Sequence, residues 1–229
     1  MKTNNKDFAK KAAAQYAANL VKEGMLIGIG SGSTAAHFID FLGKRCAKEK
    51  LHIKAVATSE KSKKLACKEN IAIIEPSETD YLDLDFDGAD EIDEKKQMIK
   101  GGGGALLREK IVAYMSREMV VIIDESKLVK KLGTFPLPVE IVPFAASATI
   151  NHLAKQGFIG KMRLKNSKEL FITDNGNYIY DIYFENVIDH PLVIERKIKS
   201  IPGVVETGLF IGVAGRVIIG HNNGSIEVR

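Results

Sequence analysis

Between Leu84 and Lys110 the chain reads LDFDGADEIDEKKQMIKGGGGALLREK. This stretch gathers carboxylates, a lysine, a glycine run and a further glutamate. Leu84, Phe86, Ile92, Met98 and Ile99 are apolar and suited to burial. Asp87 and Asp90 follow the Leu84–Phe86 alternation, where a strand ends and a loop begins. Carboxylates there lie beyond a strand's carboxyl end, the place where open α/β sheets bind ligands. Gly101, Gly102, Gly103 and Gly104 follow Lys100 and lead straight into the helix-forming ALLREK. A flexible turn is one reading of four glycines. The helix behind them favours another, a backbone held open so that amide groups approach an anion. Glu109 then falls in the second turn of a helix beginning at Ala105. A helical glutamate is ordinarily a solvated surface group. A general base instead needs its pKa drawn toward neutrality, which burial under a substrate would supply.

A second chemical stretch is GIGSGST. Met25–Gly30 reads as a buried strand, Ser31, Gly32, Ser33 and Thr34 as a loop, and Ala35–Leu42 as the start of a helix. Strand, Gly/Ser turn and helix together form a phosphate cradle of amides and hydroxyls. The lysine of a P-loop is missing. So are the third glycine of the dinucleotide fingerprint and an acid at the end of the second strand. Lys127 follows the strand Met119–Asp124 and also sits past a carboxyl end. It reads equally as an exposed lysine.

These residues need elements to hold them. Phe8, Ala12, Tyr16 and Leu20 recur at four-residue spacing and predict an amphipathic helix ending at Gly24. Ile53–Ala57 is a strand, with Thr58 or Ser59 capping a helix to about Asn70. Ile71–Ile74 is a short strand and Pro76–Asp80 a loop. The alternation of strand and helix predicts an α/β fold, a Rossmann-like parallel sheet with helices on both faces. The proline-rich GTFPLPVEIVP, from Gly133, marks a crossing between domains. Beyond it come strand Val139–Val142, helix Ala145–Gln156, strand Lys161–Leu164, two strands (Leu170–Thr173, Tyr178–Tyr183) about the Asn175-Gly176 turn, helix Pro191–Lys199 and a strand from Val204. That β-α-β-β-α-β order predicts a small ferredoxin-like α+β domain. The expected domains are 1–132 with 206–229, and 133–205. Arg216–Ile219 and Ile226–Val228 are expected to add strands to the first sheet.

The 229 residues carry a net charge of +4 and are 45% hydrophobic and 27% charged. The lysines are dispersed. This suits a small anionic substrate and gives no footprint for nucleic acid. No apolar run is long enough to span a bilayer, and the N-terminus lacks the segment of a signal peptide. Cys46 and Cys67 stand in no ligand or redox spacing, as expected of reduced thiols in the cytoplasm. Residues 83–94 match the EF-hand pattern D-x-D-x-D-G-x5-E literally. Pro76 and the strand-like Leu84/Phe86 alternation deny that loop its flanking helices, so calcium is not expected. His37, His52, His152, His190 and His221 show no paired metal-ligand spacing. No metal and no cofactor are expected.

In this order and spacing, GIGSGST, DGADEID, KGGGGALLREK and DESK resemble the ribose-5-phosphate isomerase type A family. PLPVE, TDNGN and IPGVVETGLF are similar to that family too. The resemblance implies a metal-independent aldose–ketose isomerase that interconverts ribose 5-phosphate and ribulose 5-phosphate in the non-oxidative pentose phosphate pathway. It implies Glu109 as catalytic base, with Asp87, Asp90 and Lys100 also catalytic. It implies substrate binding by Ser31–Thr34, by Asp87, Gly88, Ala89 and Asp90, by Lys100–Gly103 and by Lys127. It further implies a homodimer or a dimer of dimers. Ser31 departs from the family's common Thr, and Gly104 stands where Ala is frequent, a change expected to loosen the loop. Two other readings are a sugar-phosphate sensor without catalysis and a CoA-transferase-like enzyme with a glutamate nucleophile.

Overall fold

The computed structural model describes residues 2–229. In chain order the elements are α1 (Lys2–Ala18), β1 (Leu26–Ile29), α2 (Gly32–Glu49), β2 (Lys54–Ala57), α3 (Glu60–Lys68), β3 (Ala72–Ile73), β4 (Leu84–Asp87), β5 (Glu91–Ile92), β6 (Met98–Ile99) and α4 (Leu106–Met115). Then follow β7 (Met119–Asp124), β8 (Leu137–Ile141), α5 (Ala146–Lys155), β9 (Gly160–Met162), β10 (Tyr178–Ile182), α6 (Pro191–Lys199), β11 (Val204–Thr207), β12 (Leu209–Phe210), β13 (Ala214–Gly220) and β14 (Ile226–Val228). The chain folds into two compact units. One comprises residues 1–89, 108–128 and 213–229, the other residues 90–107 and 129–212.

The first unit is a seven-stranded sheet in the order β14-β13-β7-β4-β1-β2-β3. Every pairing is parallel except that of β13 with the edge strand β14. The parallel strands need helical crossovers, and α1–α4 cover both faces. Ile27 and Ile29 of β1, Leu84 and Phe86 of β4, and Val120 and Ile122 of β7 face one way, into a core with Phe38, Ile39 and Leu42 of α2 and Ala66 of α3. Phe38 stacks on Phe86 with ring centroids 4.5 Å apart. On the other face Val112 of α4 packs with Val56 and Leu82. The span that mimicked an EF-hand is built as sheet, with Leu84–Asp87 forming β4 between β1 and β7.

Helix α1 corrects the expected N-terminal face. It ends at Ala18 rather than Gly24. Phe8 and Tyr16 remain 54% and 41% exposed, while Ala9, Ala13, Ala14, Ala17 and Ala18 are buried. The reason is the distance of approach. A Cβ on Gly220 of β13 would fall 2.0 Å from the Ala9 carbonyl, so only an alanine stripe lets this helix lie so close to the sheet. Four-residue spacing of larger side chains instead marks the outer face.

The second unit contains a four-stranded antiparallel sheet in the order β11-β8-β10-β9. With α5 and α6 this is the ferredoxin-like β-α-β-β-α-β arrangement. Its core joins Leu137, Val139 and Ile141 of β8 to Leu153 of α5, Tyr180 and Ile182 of β10, and Ile198 of α6. The expected strand Leu170–Thr173 is reduced to isolated bridges, Leu164 with Leu170 and Ile172 with Tyr178. The ladder of β10 is instead taken by β9, from Gly160↔Ile182 to Met162↔Tyr180. A three-stranded sheet, β12-β6-β5, was not expected. Its strands are two residues each, too short to show a periodicity.

The β13–β14 turn of the first unit is tied to the turn after β7. His221 Nδ1 lies 2.6 Å from Glu125 Oε2, and its Nε2 lies 3.2 Å from Glu227 Oε2. Carboxylates only accept, so the doubly protonated ring satisfies both contacts. Glu125 first, then Glu227, holds the His221 pKa above its ordinary value. A pKa raised by folding adds stability that is complete below the unfolded value and lost as pH rises through the folded one. Replacing His221 with Gln should therefore lower the melting temperature most near pH 6 and progressively less above the raised value. Thermal unfolding of both proteins across pH checks this, and a pH-independent difference would contradict it.

Candidate active site

The strand order of the first unit reverses between β1 and β4. From β1 the chain moves outward through β2 to β3, then returns to place β4 on the other side of β1. At such a switch point the loops beyond the carboxyl ends diverge and leave a crevice. Ser31 follows β1 there, and Asp87, Gly88 and Ala89 end and follow β4. Asp87 is 1% exposed. Its Oδ1 accepts the backbone N–H of Ser31 at 3.1 Å and of Gly88 at 2.7 Å. A Cβ on Gly30 would lie 2.0 Å from that carboxylate. Glycine at 30 is therefore what allows Asp87 to bridge the two strand ends.

Helix α2 begins earlier than expected, at Gly32 with Ser31 as N-cap. Gly32–Thr34 thus form its first turn, whose amides lack intrahelical partners. Gly32 has φ +92°, a conformation that favours glycine whatever the space. The Ser31 hydroxyl lies 2.9 Å from both Thr58 Oγ1 and Ser59 Oγ, and Ser62 Oγ donates to the Gly30 carbonyl at 2.7 Å. Ser59 caps α3 through Ser62 N–H. This hydroxyl chain fixes the cradle from behind. In front of it Lys10 Nζ donates to Ser33 Oγ at 3.1 Å. Lys10 was not anticipated. It comes from α1, far away in sequence, and no motif marks it. Its charge adds to the positive end of the α2 dipole, and both favour negative charge at this turn.

Helix α4 joins the parallel neighbours β4 and β7, so its N-terminal turn lies at the carboxyl edge of the sheet. Glu109 is in that first turn, not the second, because the helix starts at Leu106. It is 4% exposed, unlike an ordinary solvated helical glutamate. Arg108 beside it pairs with Glu60 at the start of α3, 3.1 Å away. Lys127 ends a short 3-10 turn after β7, at the same edge. Asp124 holds that turn by accepting from the Ser126 N–H at 3.1 Å.

The second unit carries Asp90, Lys100 and Gly101–Gly103. Lys100 follows β6, is 3% exposed and donates its N–H to the Gly208 carbonyl at 2.8 Å. Its ammonium lies 5.4 Å from the centroid of the Phe210 ring, a cation–π contact. The Gly102 N–H donates to Asp90 Oδ2 at 2.8 Å, and Gly104 N–H closes the turn onto the Gly101 carbonyl at 2.9 Å. Gly104 ends this glycine run with φ +79°. A Cβ there would meet the Phe171 ring at 2.3 Å, so the aromatic occupies the space an alanine would take.

A helix start that favours negative charge, a buried carboxylate at a switch point and a second buried carboxylate at a helix start are features shared by α/β enzymes that act on small anions. The ribose 5-phosphate isomerase A (phosphoriboisomerase A) family model matches residues 54–224. Ribose-5-phosphate isomerase A of Protochlamydia amoebophila is 51% identical over 220 residues, covering 96% of this chain and 94% of that protein. That of Bacillus mycoides is 51% identical over 218 residues, covering 95% and 98%. Among solved structures, ribose 5-phosphate isomerase A of Methanocaldococcus jannaschii superposes with a TM-score of 0.91 at 43% identity, covering 96% of this chain and 97% of that one. A D-ribose-5-phosphate isomerase solved in complex with phospho-erythronic acid gives 0.92 at 38% identity, covering 98% of each. The chain belongs to the ribose 5-phosphate isomerase A family. The sensor reading finds no support in these relatives.

Gly30→Ala tests the switch-point geometry. The added methyl must displace Asp87, and overpacking of this kind costs about 1–3 kcal/mol. Urea unfolding should show a loss of that size, together with weakened binding of a sugar phosphate. Unchanged stability and binding would show that Asp87 has no fixed seat.

Proposed function

We propose that Glu109 is the general base with which this chain, an aldose–ketose isomerase, interconverts D-ribose 5-phosphate and D-ribulose 5-phosphate. The observation that carries the assignment is a buried carboxylate in the first turn of α4, at the sheet edge that also bears the Lys10–Ser33 anion cradle. The phosphate takes the first turn of α2, with Ser31–Thr34 and Lys10 around it, and Lys127 adds a further positive charge. Glu109 removes the proton on C2 of the open-chain aldose and returns it to C1. Between these steps the substrate is an enediolate, and a proton passes between the two oxygens. Asp87 binds sugar hydroxyls with Gly88 and Ala89 beside it. Asp90, Lys100 and Gly101–Gly103 complete the set on the strength of the family resemblance. Asp90 shares the sugar hydroxyls and the opening of the furanose ring, while the Lys100 ammonium and the glycine amides stabilise the oxyanion.

The relative solved in complex with phospho-erythronic acid supports a sugar-phosphate substrate. That molecule is a phosphorylated sugar acid. It joins a phosphate to a planar carboxylate, as the enediolate joins a phosphate to planar oxygens. Assembly as a homodimer or a dimer of dimers, and activity in the cytoplasm, are carried by the family resemblance.

Glu109→Gln keeps the shape of the side chain and removes its basicity. General-base catalysis contributes about 10²–10⁴-fold, so kcat should fall by at least that range while ribose 5-phosphate still binds. Wild-type turnover should be unaffected by EDTA. A coupled assay with a parallel binding titration measures both, and a near-normal rate for the variant would refute the assignment.

A further inference from the structure

Within the second unit the turn Gly101–Gly104 is held from two sides. On one side Asp90 accepts the Gly102 N–H at 2.8 Å. On the other, Arg163 Nη1 donates to the carbonyl oxygens of Gly101 at 2.8 Å and Gly102 at 3.1 Å. The guanidinium is itself fixed. Its Nε and Nη2 form a two-pronged pair with Asp181 of β10 at 2.9 and 2.5 Å. Both side chains are largely buried, at 14% and 12% exposure. The Phe171 ring centroid lies 5.8 Å from the guanidinium carbon, and the Phe171 N–H donates to the Arg163 carbonyl at 2.9 Å. The same ring fills the space beside Gly104.

A trans peptide points its carbonyl and the following N–H in opposite directions. Turning the Gly101 and Gly102 carbonyls toward Arg163 therefore turns the Gly102 and Gly103 N–H groups away from it. The first meets Asp90. Gly103 is the open position of the turn, where a Cβ would meet nothing within 4 Å. A cation on the two carbonyls also polarises these peptides, which strengthens their N–H groups as donors. We propose that Arg163, locked by Asp181, is a positioning residue for the isomerisation: it sets the peptide planes of the glycine turn so that the Gly103 N–H meets the developing enediolate oxygen. This rests on the reading that the glycine turn serves the oxyanion. Lysine cannot substitute, because a single ammonium lacks the planar fork that pairs with a carboxylate and bridges two carbonyls together.

The test compares wild type with Arg163→Lys, Arg163→Ala and Asp181→Asn. It reads kcat and KM separately on ribose 5-phosphate and follows amide hydrogen exchange over residues 101–104. Loss of one oxyanion donor costs about 10²–10³-fold, and misplacing a donor should cost less. Arg163→Lys should lower kcat about 10–100-fold with KM within about threefold, on the same scale. Asp181→Asn should give a smaller fall of the same kind. Exchange in the turn should accelerate while the rest of the unit keeps its protection, and added guanidinium should partly restore Arg163→Ala. If Arg163→Ala fails to fold, the other two variants decide the outcome. An Arg163→Lys enzyme at full kcat, or a loss carried wholly by KM, would overturn the inference while leaving the isomerase reading intact. A wild-type protein that binds ribose 5-phosphate without turning it over would overturn both.

Discussion

In each unit a carboxylate among the candidate residues is pressed against a glycine. In the first unit Asp87 occupies the volume a side chain at Gly30 would need. From there it accepts N–H groups from the chain leaving β1 and the chain leaving β4. In the second unit a Cβ on Gly102 would lie 2.8 Å from an oxygen of Asp90, which accepts the Gly102 N–H. A charged acceptor at such short range makes a stronger hydrogen bond than a neutral one. It also fixes backbone rather than side chain, and backbone amides are what an anion site is made of. Side-chain hydroxyls support the same plan. Thr58, Ser59 and Ser62 occupy the Ser31 oxygen from behind, so the α2 turn is rigid before any anion arrives.

The parallel sheet supplies the rest of the positioning. Parallel order forces each crossover helix to return antiparallel to its strands, so α2 and α4 both begin at the carboxyl edge. Their first turns place a positive dipole end there. The sheet is covered by the bulky α2 face on one side and by Val112 of α4 on the other. Glu109 is therefore buried at a helix start without interrupting either apolar core.

The elements legible in the sequence were those whose local signals were complete. The uninterrupted MVVIID of β7 and the Pro191 start of α6 appear with the expected bounds, because an all-buried strand and a proline at a helix start need no distant partner to be recognised. Ser31 and Asp87 were legible as strand-end positions because each comes directly after an apolar run. What was hidden depends on contacts distant in sequence. Lys10 is one of many lysines until α1 docks beside α2. Arg163 directly follows β9, and the expected strand Leu170–Thr173, whose Phe171 lies against it, survives only as bridges. The β5, β6 and β12 strands exist through their pairing alone.

Gly104 shows how a departure from a family pattern is read once its neighbour is known. Alone, a fourth glycine suggests added freedom. Its φ of +79° already favours glycine, and the Phe171 ring stands where a methyl would project. The ring does more than fill space. It lies against the guanidinium that holds the Gly101 and Gly102 carbonyls, so the glycine admits a ring that packs on the group holding the turn. Conformational freedom lost in the folded state depends on what surrounds the residue, not on its intrinsic permissiveness. Gly104 and Phe171 are thus one structural feature written at two distant positions. An alanine at 104 fits only where the residue facing it is smaller than phenylalanine or turned aside.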